Sequence, residues 1–480
     1  MKPHRLVWSA ALGALLAACS QAPTLKLPDV PLAADYKEAA PWRTAQPTDQ
    51  LPREGWWSLF GDPELNALEQ RLVQHSPDLA AALARYQQAK ASTDQLRAAE
   101  LPTLGTSLSL QRNRQSERKP LRVLGPLSPN EYDAHTLSLN LDYELDLWGR
   151  VRNQVASGVA LDQAALADLA SARLSLQAQL AETYLLLRGL DRDAALLADA
   201  EAAYGKARDL IQRRHDGGVS SGLDLARAEA QLAATRSQAR QSQAQRAVAE
   251  HAIAALIGES ASSYSLPAQR TDIPLPQVPA GLPSALLQRR PDIAAAQRRV
   301  AAANASVGVA RSAVFPTVML SASGGFQTSD IGHFIAAPNI FWAIGPALVM
   351  NLFDGGRRRA DTARAEAVLD EAGARYRGVV ITAFQQVEDS LALLQHYGAA
   401  AEEEANAVNA AQRSLDMATA RYKEGAASYL EVVTSQTATL QAQRSALDLS
   451  TRQRRASVQL IRALGGGWTV SSALLAQHQE

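Results

Sequence analysis

The sequence predicts an α+β membrane protein. Four strands per chain, brought together from three chains, form a twelve-stranded β-barrel that continues as a long α-helical barrel. Three observations predict this. The chain is a tandem duplication. Each copy carries two strand-length stretches that alternate apolar and polar residues. Each copy then enters a long proline-free segment with an apolar residue at every seventh position.

The duplication is read by alignment. "HSPDLAAALARYQQAKASTDQLRAAELPTL" (75–104) superposes on "RRPDIAAAQRRVAAANASVGVARSAVFPTV" (289–318), placing Pro77, Asp78 and Pro102 on Pro291, Asp292 and Pro316. Further on, Gly149 and Arg150 fall on Gly356 and Arg357. Arg214, Gly218, Leu223 and Asp224 fall on Arg421, Gly425, Leu430 and Glu431. A period of about 200 residues exceeds that of a solenoid, so each copy is a sizeable piece of fold.

Within the first copy, residues 64–100 read as one helix. Asp62 caps it ahead of Pro63, Leu65, Leu68, Leu72, Leu79 and Leu83 recur at helical spacing, and Pro102 ends it. "TLGTSLSLQR" (103–112) and "HTLSLNLDYELDL" (135–147) then alternate with period two, hence strands, joined by a polar loop containing Pro120, Pro126 and Pro129. In the second copy "PTVMLSASGGFQ" (316–327) and "FWAIGPALVMNLF" (341–353) take the same places. The long segments follow. Leu169, Leu176, Thr183, Leu190, Leu197, Tyr204 and Ile211 form one stripe; Val380, Val387, Leu394, Ala401, Val408, Leu415 and Tyr422 form the other. A sustained seven-residue period means a coiled-coil seam, and these residues read as core.

A turn interrupts each long segment. "RRHDGGVSSGLDL" (213–225) has its near copy in "ARYKEGAASYLEV" (420–432). Gly217, Gly218 and Gly425 permit left-handed backbone. Ser221-x-x-Asp224 and Ser428-x-x-Glu431 match the capping box that starts a return helix. From Arg150 to the glycines is roughly 100 Å of helix, and the return helix over 221–258 covers only about 57 Å. The helix ending at Pro102 supplies the missing length, so two short helices stack end to end beside each long one. The segments expected are a signal peptide (1–18), an anchor and N-terminal equatorial segment (19–63), the first repeat (64–258), a Pro-rich equatorial linker (259–284), the second repeat (285–466) and an equatorial tail (467–480).

The opening "MKPHRLVWSAALGALLAACS" has a basic start and an apolar run too short to span a bilayer, which fits a secretory signal. Leu16-Ala17-Ala18-Cys19 matches the bacterial lipobox, and Cys19 is the only cysteine. The expected mature N-terminus is lipidated Cys19. Ser20 is not the aspartate that retains lipoproteins at the inner membrane, so the expected address is the outer membrane of a Gram-negative bacterium, facing the periplasm. Strands of about ten residues have the length of tilted membrane strands. Four cannot close a barrel, and open edges are not tolerated in lipid. Closure therefore predicts a homotrimer among outer-membrane lipids.

Formal charge balances to zero and no basic stripe with interleaved aromatics occurs, which excludes nucleic-acid partners. The eight histidines lack ligand spacing, and no zinc motif, phosphate-binding loop or nucleophile elbow occurs. No catalytic residue, metal ligand or cofactor is expected.

Together these features resemble the TolC-like outer-membrane efflux factors, specifically their lipoprotein branch. The resemblance covers nearly the whole mature chain. It rests on "GWWSLFGDPELNALEQ" (55–70), "RRPDI" (289–293), "FPT" (315–317), "LFDGGRRR" (352–359), "RYKEGAASYLEV" (421–432) and "ALGGGW" (463–468), in order and duplicated. It implies a trimeric channel-tunnel without enzymatic activity, docked on a periplasmic adaptor that is bound to an inner-membrane transporter. It implies that the turns form a closed periplasmic aperture, with Asp224 and Glu431 as ring carboxylates that favour cations and Arg421 and Tyr422 on the latch side. Thr434 and Ala427 depart from the family pattern, which often has an aspartate and an arginine there. The small exposed residues Val219, Ser220, Ala426 and Ala427 suit the approach of an adaptor hairpin. The cargo expected is small molecules such as drugs and toxic organics. Export of proteins or metal ions is the alternative, and the four unclustered methionines argue against copper or silver as cargo. A coiled-coil scaffold lipoprotein without a channel explains the heptads but not the strands.

Overall fold

The computed structural model describes residues 21–30, 36–38, 55–116, 130–276 and 290–466. Cys19, the loop prolines at 120, 126 and 129, the segment 277–289 and the tail 467–480 lie outside them. Seven helices are described: α1 (Pro63–His75), α2 (Pro77–Arg97), α3 (Arg150–Asp216), α4 (Gly222–Leu256), α5 (Pro291–Ser312), α6 (Arg357–Lys423) and α7 (Tyr429–Ala463). Four strands alternate with them: β1 (Thr103–Arg114), β2 (Glu131–Leu145), β3 (Thr317–Thr328) and β4 (Ile340–Val349). In the long helices the duplication is kept to the residue. Both outgoing helices, α3 and α6, have 67 residues, and both return helices, α4 and α7, have 35.

Two expected elements are corrected. The helix over 64–100 is two helices, because Ser76 is extended (φ −63°, ψ 120°) ahead of Pro77. A proline ring pushes its predecessor out of helical geometry. Asp62 does cap α1, its carboxylate accepting from the N–H groups of Glu64 and Leu65 at 2.9 and 3.1 Å. The last strand stops at Val349 rather than running to 353, because its final partner is Thr317, the first residue of β3. Pro316, just before, has no N–H to extend the ladder.

The chain forms two compact units, each drawing on both repeats. The first holds Tyr86–Ala165, Ala296–Tyr376 and the described part of Met1–Pro28. Its centre is an antiparallel sheet in the order β1-β2-β3-β4, so β1 and β4 are its edges. Alternation along the strands and the pairing register separate two faces. One is apolar across all four strands: Leu104 and Leu108 lie beside Leu141 and Leu137, Leu139 beside Gly324, and Leu320 and Val318 beside Pro346 and Leu348. Trp342, Ile344 and Leu348 on this face are 76%, 67% and 67% exposed, values that water would penalise and lipid would not. The opposite face carries Ser107, Ser138, Asn140, Ser321 and Ser323. Ser107 and Ser138 share a 2.8 Å hydrogen bond there. Trp148 closes one end, stacked on Phe315 at 4.7 Å and donating its indole N–H to the Pro316 carbonyl at 2.8 Å.

The second unit holds Leu166–Ala295, Arg377–Ala463 and Asp29–Arg85 within the described residues. Its core joins Phe60, Leu65, Leu68 and Leu72 to Leu180, Tyr184 and Leu187 of α3, Ile253 of α4, Val387 and Leu391 of α6, and Leu460 of α7. The seven-residue stripe is core where helices meet: Leu197, Tyr204, Ile211, Val380 and Val387 are buried, while Leu169, Leu176 and Val408 are half-buried. A buried charge network ties the chain after α4 to the helices. Arg188 donates to Asp191 at 2.8 Å and to the Pro267 carbonyl at 2.9 Å, and Arg246 donates to the other Asp191 oxygen at 2.7 Å. The Gln269 N–H adds a third donor to Asp191 at 3.1 Å. Breaking such a set strands a buried charge, so it specifies where the linker lies.

Glu69 stands apart from this pattern. It is fully buried among the α1 leucines, and neither carboxylate oxygen has a hydrogen-bond partner. Burial pushes its carboxyl well above the usual range, and the field of Arg173 only partly offsets this. A raised carboxyl pKa means that the folded state holds the proton longer than the unfolded chain. The stability cost therefore grows as pH rises from the unfolded value toward the folded one. Glu69→Leu is expected to raise the thermal dissociation midpoint in detergent, by about 1–3 kcal/mol of stability. The gain is larger at pH 8 than at pH 5, and scans of both proteins at the two pH values check it.

Candidate functional site

The hairpin turns between α3 and α4 and between α6 and α7 share the pair of backbone bonds that ends the outgoing helix. In the first, Val219 N–H reaches the Arg214 carbonyl at 2.7 Å and Gly218 N–H reaches His215 at 2.9 Å. In the second, Ala426 reaches Arg421 at 2.8 Å and Gly425 reaches Tyr422 at 3.1 Å. This is the Schellman pairing, which needs a left-handed residue at the position after the cap. Gly218 (φ 74°) and Gly425 (φ 77°) supply it. Gly217 is corrected: it is not among the left-handed glycines, and its repeat partner is Glu424, which has a side chain.

The caps differ between the copies. The Ser221 hydroxyl accepts from the Asp224 N–H at 3.2 Å and donates to the Asp224 carboxylate at 2.9 Å. The carboxylate thus braces the capping hydroxyl instead of reaching back to the backbone, and it also lies 3.5 Å from Arg227. Ser428 makes no side-chain cap, which corrects the second capping box. Glu431 is turned instead toward Arg421 on the outgoing helix, 3.6 Å away. Arg421 also donates to the Ala426 carbonyl at 3.3 Å, so it staples its own turn.

The two hairpins meet around the Tyr422 ring, which packs on a tyrosine of its own hairpin and takes a cation from the other. Tyr422 packs on Tyr429 with centroids 5.5 Å apart, and Arg214 of the first hairpin lies over the Tyr422 ring at 5.4 Å. Ile211, Ala228, Tyr429 and Val432 are buried around this contact, with Leu225 and Val433 against them. Burial, with the nearby Tyr422 and Asp224 adding to it, pushes the Tyr429 hydroxyl up to about 12. Of the residues read as latch and ring, Arg421 meets Glu431 and Tyr422 meets Tyr429 and Arg214, while Asp224 acts on Tyr429 through its field. Arg214 and Tyr429 were not foreseen. Arg214 is the repeat partner of Arg421, and that correspondence was the available signal. Val219 is 77% exposed and Ala426 is exposed, whereas Ser220 and Ala427 are half-buried.

A family model for outer membrane efflux proteins matches residues 68–259 and 282–466, both repeats. The chain belongs to this family. It is 34% identical over 465 residues to the pyoverdine export outer membrane protein OpmQ of Pseudomonas aeruginosa, covering 95% of each. It is 30% identical to the toluene efflux pump outer membrane protein TtgC of Pseudomonas putida, over 95% of this chain and 94% of that one. The solved outer-membrane channel OprN superposes with a TM-score of 0.86 at 30% identity, over 94% of this chain and all of that one. The chain is thus an outer-membrane efflux duct. Its amphipathic sheet supplies the membrane part, as the strand alternation predicted. Among the described residues no helix is long and apolar enough to cross a membrane.

Two outcomes check the turn geometry. Gly218→Ala is expected to cost roughly 1–2 kcal/mol from left-handed strain, and Gly217→Ala to be neutral or slightly stabilising. Limited proteolysis at the two turns reads the difference.

Proposed function

We propose that three copies of this chain assemble into one duct, a passive exit for small molecules handed over by an inner-membrane transporter and a periplasmic adaptor. The observation that carries this reading is the four-stranded sheet, apolar on one face and polar on the other, with both edges unpaired among the described residues. Backbone groups in hydrocarbon must be paired, so β1 of one copy meets β4 of the next. Four strands from each of three copies make a barrel with polar residues inside. The chain does no chemistry on its cargo; the drive comes from the transporter. Cys19 carries lipid and holds the N-terminus at the membrane, where each acyl methylene adds about 0.8 kcal/mol.

In this reading the hairpin turns form the periplasmic aperture. Asp224 and Glu431 recur around the axis and favour cations; the Arg421–Glu431 pair and the Tyr422–Tyr429 contact brace the second hairpin on the latch side, and Arg214 over the Tyr422 ring links it to the first. Val219, Ser220, Ala426 and Ala427 receive the adaptor. The supporting geometry at the turns is the contact of Arg214 with the Tyr422 ring across the two hairpins, beside the small buried cluster of Ile211, Ala228, Tyr429 and Val432. A cation–π contact of this kind is worth about 0.5–2 kcal/mol, a strength suited to a latch that opens.

Deleting the gene is expected to lower resistance to a subset of a panel of antibiotics, dyes and organic solvents, with the wild-type gene restoring it. An unchanged panel removes the small-molecule reading in favour of protein or metal-ion export. Asp224→Ala combined with Glu431→Ala is expected to raise single-channel conductance and lower cation preference in planar bilayers. Unchanged conductance leaves both carboxylates as structural groups of the turns.

A further inference from the structure

The polar face of the sheet is nearly free of charge, and this singles out one residue. On β1 that face presents Thr103, Gly105, Ser107, Ser109, Gln111 and Asn113. On β3 and β4 it presents, between the ends, Met319, Ser321, Ser323, Gly325 and Gln327 with Phe341, Ala343, Gly345 and Ala347. Among the described strand residues, its only charged side chains are Asp142 and Glu144 of β2. Glu144 is neutralised: Arg150, opening α3, donates to it through Nε at 2.7 Å and through a second nitrogen. Just beyond the strand, Asp146 is likewise paired with Arg152 at 3.3 Å. Asp142 meets no cation among the described residues. Its carboxylate accepts only the Ser321 hydroxyl, at 2.7 Å, and the side chain is exposed.

We propose that Asp142 sets the charge selectivity of the membrane-spanning part of the duct, its unpaired carboxylate making that passage favour cations. The inference rests on the trimeric duct reading, in which the polar face lines the passage and three copies of Asp142 lie at one level. The register supports that placement. Asp142 is paired with Thr103 on one side and Ser321 on the other, at the end of the sheet where α3 begins. A fixed charge on a wall of otherwise neutral polar groups is not cancelled locally, so its field extends into the passage. The range is set by salt: about 30 Å at 0.01 M but only about 3 Å at 1 M. Selectivity from this source is therefore strong in dilute salt and vanishes in concentrated salt. The neutral passage elsewhere also fits small-molecule traffic, because unpaired charges facing a narrow aqueous path would trap ions of opposite sign.

The test is the reversal potential of the full-length protein in planar bilayers under a tenfold potassium chloride gradient. Asp142→Asn keeps an acceptor for the Ser321 hydroxyl and removes the charge, and Asp142→Glu restores it. The wild type is expected to prefer potassium. Asp142→Asn is expected to lower the cation-to-anion permeability ratio about twofold or more at about 10 mM salt and hardly at all at about 1 M. Asp142→Glu is expected to behave as wild type, and conductance is expected in all three. Channels from Asp142→Asn with an unchanged ratio in dilute salt overturn the inference and leave the duct reading standing. A wild-type preference for chloride also overturns it, and would give the dominant charge to Arg357 and Arg359 at the start of α6, which form no ion pair among the described residues. Absence of any wild-type conductance, with the protein correctly inserted, overturns the duct reading and this inference together.

Discussion

The rest of the structure depends on one constraint: a strand edge cannot be left open in hydrocarbon. Each unpaired backbone group there costs several kcal/mol, and β1 and β4 each present a row of them. The chain cannot satisfy these edges itself, because its four strands are consecutive neighbours in one antiparallel sheet. The apolar face makes the demand specific. From Ile340 to Leu348 its residues cover about 27 Å of strand, which tilted by about 40° approaches the height of a bilayer's apolar band. Assembly is therefore a condition for the sheet to exist in lipid.

The helices follow from the duplication. A sheet built from two equal strand pairs delivers two equal outgoing helices, and the residue-for-residue match of α3 with α6 and α4 with α7 keeps both turns in step. Equal backbone then leaves side chains free to diverge. The first turn braces its cap with Asp224, and the second spends Glu431 on Arg421. The first outgoing helix offers Arg214 to the ring of Tyr422. Such a division suits a contact between two hairpins, where each copy faces the other and not a duplicate of itself.

Much of this was legible in the chain. Leu104, Leu108, Leu137 and Leu139 announced strands because alternation on a two-faced sheet is a strong periodic signal. The seven-residue stripe announced the long helices for the same reason. Duplication doubled each observation. What was not legible depended on partners distant in sequence. Asp191 gathers Arg188, Arg246 and Gln269, the last 78 positions away, and no local pattern marks that meeting. Glu69 sits between leucines at a position that a polar residue on an exposed helix face would also occupy, and only packing buries it. Gly217 looked like half of a left-handed pair because glycine alone cannot say which of two neighbours turns. The second capping box failed because Arg421, ten residues earlier, competes for Glu431.

Native mass spectrometry of the full-length protein extracted in detergent tests the central claim most directly. Three chains per particle, persisting at dilution, is the result that edge pairing between copies predicts. A particle of one chain that still shows β-structure by circular dichroism would contradict it, because the sheet would then be stable with both edges open.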